Sequence, residues 1–349
     1  MKKYDEIDVN FKVQTKIQKD DIKFYSVLNK PFGLYGAFYV DGKFRRIPES
    51  VAKATNEGVL GHHTSMAGVR VRFKTNSPYI AIFAKMPAIG RMPHFALTGS
   101  SGFDLYRNKD GDEYLKTFIP PYDFTDGYES VIDLEDKGMY EYTINFPLYS
   151  DVSEFYVGLS EDAQIQEPTP YKDIKPIVYY GSSITQGGCA SRPGRAYSNI
   201  ITRRLNVDHI NLGFSGSARG EDAIAEYISD LDMSVFVYDY DHNAPTVEYL
   251  KSTHEKMFKT IRAKNPNLPI VMLSRPRYRL NDEHKARIEV IKTTYQNAVD
   301  SGDKNVYFID GPTLMQYAKN EGTADDVHPN DLGFVSMAQV IGDLLEKLI

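Results

Sequence analysis

Two serines stand side by side at 182 and 183, in "IVYYGSSITQGG" (177–188), where an apolar run ends in a glycine. A serine hydroxyl is a poor nucleophile until a neighbouring base takes its proton, most often an imidazole held by a carboxylate. Far along the chain, "TADDVHPNDLGF" (323–334) places Asp325 three residues before His328 in one loop. In such a turn the carboxylate reaches the imidazole N–H, fixes its tautomer and stabilises the imidazolium, leaving the other ring nitrogen to face a serine. Acyl transfer also needs donors aimed at a developing oxyanion. A glycine amide in "NLGFSGSARGED", where Gly213 and Gly216 mark the turn, and the Asn243 amide in "YDYDHNAP" could supply them. The chemistry these types can do together is ester hydrolysis, but they are scattered over four segments.

The elements around them explain how four segments could meet. From about residue 175, short apolar runs alternate with helical patterns. The strands read as "IVYY", "HINL", "SVFVYDY", "PIVML" and "VYFID", and the helices fall near 195–205, 219–230, 245–264, 282–300 and 331–348. Alternating β and α predicts a parallel sheet with helices on both faces. Ligands in such sheets bind outside the carboxyl ends of the strands, and every candidate segment follows a strand end. The first ~165 residues instead alternate with period two. In "AGVRVRFKT" (67–75), Val69, Val71 and Phe73 form one face and Arg70, Arg72 and Lys74 the other, a pattern that predicts a half-buried antiparallel strand. "SPYIAIFAKM", "GMYEYTINF" and "SEFYVGL" read alike, and this half is expected to be a jelly-roll-like β-sandwich. "QEPTPYKDIKP" (166–176), with three prolines, divides the chain into 1–170 and 171–349.

Bulk composition narrows the class. At 349 residues, length favours about two domains. The formal charge of −6 gives no concentrated basic face, so nucleic acid is not an expected partner. No apolar run approaches the length of a membrane span, and "MKKYDEIDVNFKV" lacks the apolar centre of a secretory signal. One cysteine, Cys189, cannot form an intramolecular disulfide, which suits a reducing, cytoplasmic setting. Most of the 25 tyrosines are expected in cores or on strand faces.

The carboxyl-terminal half, about 175–349, resembles the SGNH (GDSL-type) hydrolases, through "GSSIT", "NLGFSG", "DYDHNA" and "DDVHPN". The resemblance implies a flavodoxin-like three-layer α/β/α domain. It also implies roles: Ser183 as nucleophile, the Gly213 amide and Asn243 side chain in the oxyanion hole with the Ser183 amide, His328 as base and Asp325 as its orienting carboxylate. "GFDLY" (102–106) resembles the G-x-D-L-Y signature of a sandwich domain that precedes some members. The chain departs from the pattern twice. Ser182 stands where the family has an Asp before the nucleophile, which removes a local charge, and the third block lacks the G-x-N-D form.

Blander roles compete at several positions. Ser182 or Ser183 can cap a helix, and Asn330 or Asp331 is expected to start the last one. Asp239, Asp241 and His242 offer hard or borderline metal ligands, but no second cluster supplies partners, so no metal and no cofactor is expected. Arg192, Arg195, Arg275 and Tyr278 sit on loops that can line a pocket, and Asp241 and His242 join them as candidates for substrate contact. His62 and His63 could touch substrate at a domain interface but are expected to be surface or packed residues, and Cys189 is expected to be structural. The reading is a serine esterase acting on acetylated oligosaccharides, with homo-oligomerisation left open. A lipid esterase or thioesterase of the same fold, a sugar-binding protein with an inactive hydrolase half, and acyl transfer to another sugar are its rivals.

Overall fold

In the computed structural model the described residues are 17–108, 112–136 and 138–349. Among the described residues, twelve strands lie within 22–166 and five more within 177–309. The first group makes two antiparallel sheets. One runs β1 (Ile22–Ser26), β11 (Glu154–Ser160), β6 (Tyr79–Lys85), β9 (Gly127–Asp133). The other runs β12 (Ile165–Gln166), β5 (Arg70–Thr75), β10 (Tyr140–Asn145), β7 (Phe103–Asn108), β8 (Asp112–Phe118), with β2 (Gly33–Tyr35) also on β5. β3 (Phe38–Val40) and β4 (Lys43–Arg45) form a separate hairpin. Most strands close in sequence go to opposite sheets, so the two sheets interleave along the chain. Alternate residues such as Val71, Phe73, Ile80, Ile82, Ile144 and Val157 close one apolar core between the sheets.

The other half is built on a parallel sheet ordered β14 (His209–Gly213), β13 (Ile177–Gly181), β15 (Val235–Asp239), β16 (Ile270–Leu273), β17 (Val306–Ile309). Counted within this half the order is 2-1-3-4-5, the flavodoxin-like arrangement, and its switch point lies between β13 and β15. Period-two alternation gives each strand two buried faces. Ile177, Tyr179, Val235 and Val237 pack one core, with Val178, Tyr180, Phe236 and Tyr238 in the other. The first core is closed by α5 (Tyr197–Leu205) and α10 (Asp331–Leu345). The second is closed by α6 (Asp222–Ser229), α7 (Val247–Lys264) and α8 (Asp282–Asp300). Polar caps fix where these helices begin: the Thr246 hydroxyl accepts the Tyr249 amide, the Asn281 side chain accepts the His284 amide, and Asn330 accepts two amides of α10.

The period-two half also contains helices. α1 (Glu49–Thr55) and α2 (Glu57–His62) follow β4, and their Ala52 and Val59, with Ile47, belong to the core against α6 rather than to the sandwich. The short α3 (Leu97–Ser100) precedes β7. The polar face of β5 is a second difference. Arg70 and Arg72 are 1% and 4% exposed rather than solvated. Arg70 crosses to Asp208 and to the His209 carbonyl at the start of β14, Arg72 pairs with Glu141, and Tyr171 lies over both guanidinium groups. Alternation located the strand but could not show that a second half covers its charged face.

Candidate active site

Ser182 and Ser183 divide two tasks between them. β13 ends at Gly181, and the four-residue helix α4 (Ser183–Gln186) begins at once. The Ser182 hydroxyl accepts the Ile184 amide at 3.2 Å and caps that helix. Ser183 is left to face outward at the first helical position, and its Oγ lies 2.9 Å from Nε2 of His328. The other ring nitrogen, Nδ1, is 2.7 Å from Asp325 Oδ2. Asp325 Oδ1 accepts the His328 amide at 2.7 Å and the Val327 amide at 3.1 Å, so one loop both shapes the turn and orients the ring. Burial pushes the Asp325 carboxyl up, but the His328 amide and ring outweigh it and hold the group below the usual carboxylate value. Asn330 caps α10, whereas Asp331 binds the Ser191 amide and hydroxyl across the loop.

A carboxyl does sit beneath this turn, supplied from another strand. Asp239, at the end of β15, is 4% exposed. Its Oδ1 accepts the Ser182 amide at 3.2 Å and the Thr185 hydroxyl at 3.0 Å, and lies 3.4 Å from the Ser182 hydroxyl. Oδ2 has no partner. Burial raises this carboxyl to about 7 against the pull of those hydrogen bonds.

The oxyanion-hole expectation needs one correction. The Gly213 amide donates to the Asn211 side chain at 2.9 Å and is spent. A Cβ on Gly213 would come within 2.1 Å of the Gln186 nitrogen, so this glycine serves close packing of β14 on α4. Gly216, three residues on, has φ +66°, and a Cβ there would meet open space. Neither its amide nor the Ser183 amide has a partner among the described residues. Asn243 is tied to the same turn, with Nδ2 donating to the Phe214 carbonyl at 3.1 Å. The two glycines of "NLGFSG" were both legible; only the hydrogen bond from Asn211 tells which amide is free.

Four loop residues proposed for substrate contact are placed otherwise. Asp241 and Arg275 are buried against each other at 2.9 Å, and Arg287 holds the Asp241 carbonyl, so this pair pins the β15 loop to α8. Arg192 lies 3.8 Å over the Tyr114 ring and 3.7 Å from Asp104, in the seam between the halves. The His242 ring is unspent, with Nε2 lacking a partner, and burial together with nearby cations lowers it to about 3, so it is neutral. Tyr278 is 40% exposed and lines a cavity of about 290 Å³ with Arg277 and Asp326. Arg195 reaches Asp331 at 3.4 Å, and His63 is packed between Arg45 and the Leu60 carbonyl. Asp239, Asp241 and His242 do not converge as metal ligands.

The sandwich half supplies part of the site, which sequence reasoning missed. Tyr149 donates its hydroxyl to the Ser183 carbonyl at 3.2 Å. His94 stands 3.8 Å from Asp325 and 5.4 Å, ring to ring, from His328. One ligating atom from each of His94, Cys189 and His328 falls within 4.8 Å of the others. Burial and the Asp325 charge push the Cys189 thiol up to about 12, so with no metal bound this thiol is protonated at neutral pH. Arg46 is buried in the same seam and donates to the Asn211 and Gly213 carbonyls, both at 2.9 Å, beneath the Phe214–Gly216 turn.

With this geometry in view, comparison with known proteins is decisive. Residues 174–346 match the GDSL-like lipase/acylhydrolase family, and residues 22–165 match the GxDLY amino-terminal domain of SGNH-hydrolase-type esterases. The chain belongs to the SGNH (GDSL-type) hydrolases. A protein of Bacteroides ovatus described as a GDSL-like lipase is 29% identical, with 94% of this chain and 98% of that one covered and a TM-score of 0.84. The salicylyl-acyltransferase SsfX3 from a tetracycline biosynthetic pathway is 20% identical (95% and 98% covered, TM-score 0.75). An acetyl xylan esterase of the rumen bacterium Butyrivibrio proteoclasticus is 13% identical (93% and 98% covered, TM-score 0.60). A search of curated proteins returned no match. This SGNH hydrolase is a carboxylic ester hydrolase, and among its described residues no helix is long and apolar enough to cross a membrane.

Proposed function

We propose that this SGNH hydrolase is a carbohydrate O-acetylesterase in which Ser183, His328 and Asp325 act as a triad. The unbroken chain of 2.9 and 2.7 Å contacts at the carboxyl edge of the parallel sheet carries the reading. Ser183 Oγ attacks the acetyl carbonyl while His328 Nε2 takes its proton and Asp325 stabilises the imidazolium. The amides of Ser183 and Gly216 and the Asn243 side chain receive the oxyanion, Gly216 replacing Gly213 in that role. As the tetrahedral adduct collapses, His328 returns the proton to the departing sugar oxygen. It then takes a proton from water, which attacks the acetyl-enzyme and releases acetate and free Ser183.

The substrate class rests on the surroundings of the triad. His94, His242 and Asn243 offer rings and polar tips suited to sugar hydroxyls. The two-half layout is shared with the acetyl xylan esterase. A lone, unpaired Cys189 favours a cytoplasmic enzyme that meets oligosaccharides rather than polymer.

Hydrolysis of p-nitrophenyl esters from acetyl to octanoyl, with wild type beside Ser183→Ala, tests this reading. Acetate is expected to be the best substrate, and the variant to lose roughly 10⁴-fold or more in kcat. A preference for octanoate would assign a lipid esterase or thioesterase instead. Retained activity in Ser183→Ala would remove the nucleophile assignment. Wild type that binds acetylated oligosaccharides without turnover would be a sugar-binding protein. Product analysis separates hydrolysis from transfer to a second sugar.

A further inference from the structure

A cavity of about 100 Å³ lies in the seam between β5, β10 and α5. It is near the amino ends of the parallel strands, since Arg70 on its wall binds Asp208 and the His209 carbonyl at the start of β14. The catalytic residues occupy the carboxyl ends, so this is a different place. Its wall includes Arg70, Arg72, Arg203, Asn199 and Thr143, and no carboxylate. It adjoins a more open chamber of about 390 Å³ that shares Arg72, Asn108 and Asn206 and adds Lys74 and Glu141 to the wall, the latter already paired with Arg72.

Two of the arginines are held with one edge unused. Arg72 lies 4.0 Å over the Tyr171 ring and is paired on one side with Glu141. Arg203 lies 4.0 Å over the Tyr106 ring and donates to the Gly194 carbonyl at 2.7 Å. In both, Nη1 is buried and has no partner among the described residues, and the buried Oδ1 of Asn199 likewise accepts nothing from them. A buried donor on a cation that makes no hydrogen bond is costly, and native proteins seldom leave one. Here two such donors and one acceptor belong to residues that line one cavity. The charges agree: Asp208 and Glu141 neutralise Arg70 and Arg72, whereas Arg203 has no carboxylate within ion-pair distance among the described residues.

We propose that this cavity binds a small oxyanion that also carries a hydroxyl group. The Nη1 groups of Arg72 and Arg203 take its oxygens, and Asn199 Oδ1 accepts its O–H. Planar, stacked guanidinium groups with a free edge suit carboxylate, phosphate and sulfate oxygens. The free acceptor selects hydrogen phosphate or a hydroxy acid over sulfate, which has no proton to give. The wider chamber leaves room for the rest of a larger ligand, such as the ring of an anionic sugar.

Isothermal titration calorimetry of the whole chain with inorganic phosphate, sulfate and glucuronate, at matched ionic strength, tests the site. Saturable one-to-one binding of phosphate or glucuronate is expected, with sulfate weaker, and the stronger of the first two identifies the ligand type. Arg203→Met, on the half-exposed face of α5, is expected to weaken binding about tenfold or more while leaving esterase activity unchanged. Arg72→Met should act likewise, and if it fails to fold, Arg203→Met alone decides. No saturable binding of any of the three anions would overturn the proposal and leave a cavity for water only. Equal affinity in wild type and Arg203→Met would also overturn it, since the anion would then bind elsewhere.

Discussion

The sandwich half meets the hydrolase half at two arginine-rich places, and they are finished differently. Under the catalytic edge, Arg46 spends its guanidinium on four backbone carbonyls, those of His62, Ser65, Asn211 and Gly213. At the opposite end of the sheet, Arg72 and Arg203 each keep a buried nitrogen without a partner. The first arrangement is complete within the chain and holds a turn still; the second is complete only with something added. Two buried cations of one chemistry thus play opposite parts, and the tally of unmet donors separates them better than burial does.

Arg46→Met is the substitution that should break this contrast most visibly. It strips the Ser65, Asn211 and Gly213 carbonyls of their donor at a place water does not reach, which costs roughly 1 kcal/mol or more each, while the His62 carbonyl keeps the Ser65 amide. Burial lowers the Arg46 guanidinium to about 9, so relief of that strain returns part of the loss. A net destabilisation of about 3 kcal/mol is expected from urea unfolding, with kcat reduced because the Phe214–Gly216 turn loses its support. Arg203→Met, at the other seam, gives up one carbonyl bond and a stacking contact and removes an unmet donor. Its expected cost is within about 1 kcal/mol. Equal losses in the two variants would erase the distinction between the seams.

The uneven legibility of this chain in its sequence has the same origin. The β-α alternation and its caps are local, and the helices over 247–264 and 282–300 begin within two residues of where periodicity places them. Asp325 and His328 are three residues apart, so their turn is local too. What stayed hidden crosses long stretches of chain. Gly213 and Gly216 cannot be told apart until Asn211 is seen to claim one amide. Arg70 and Arg72 look solvated until Asp208 and Tyr171 arrive from the other half. The carboxyl absent at position 182 is supplied by Asp239, 57 residues on, and only strand order brings the two together.

Asp239 is one exception on the well-paired side, because its Oδ2 is unmet among the described residues. Its pKa is raised from 3.8 to about 7, so the folded state keeps a proton that the unfolded chain gives up near 4. The stability it lends is full below about pH 4 and is lost as pH rises through about 7, an effect on the order of 4 kcal/mol. Asp325 works in the opposite sense and in another window, since its lowered pKa gives stability that fades only in acid. Asp239→Asn keeps an acceptor for Ser182 and Thr185 but places an N–H₂ where nothing accepts it. It should flatten the stability profile between pH 5 and 8 and gain roughly 2 kcal/mol at the upper end after that penalty. Urea midpoints at the two pH values decide it; an unchanged slope would mean that Asp239 is ionised in the folded protein across this range.

The smallest expected change sharpens the contrast from the catalytic side. Tyr149 donates to the Ser183 carbonyl, and burial keeps its hydroxyl protonated well above its ordinary value. That carbonyl already accepts the amides of Gly187 at 3.0 Å and Gly188 at 2.8 Å. Removing the hydroxyl therefore leaves no acceptor unmet, unlike the removal of Arg46. Tyr149→Phe should cost no more than about 1 kcal/mol of stability and lower kcat only severalfold, with KM for p-nitrophenyl acetate little changed. A loss as large as that of Ser183→Ala would place Tyr149 among the groups that touch the reacting atoms. The sandwich half would then supply a catalytic group rather than a brace for the turn that carries the nucleophile.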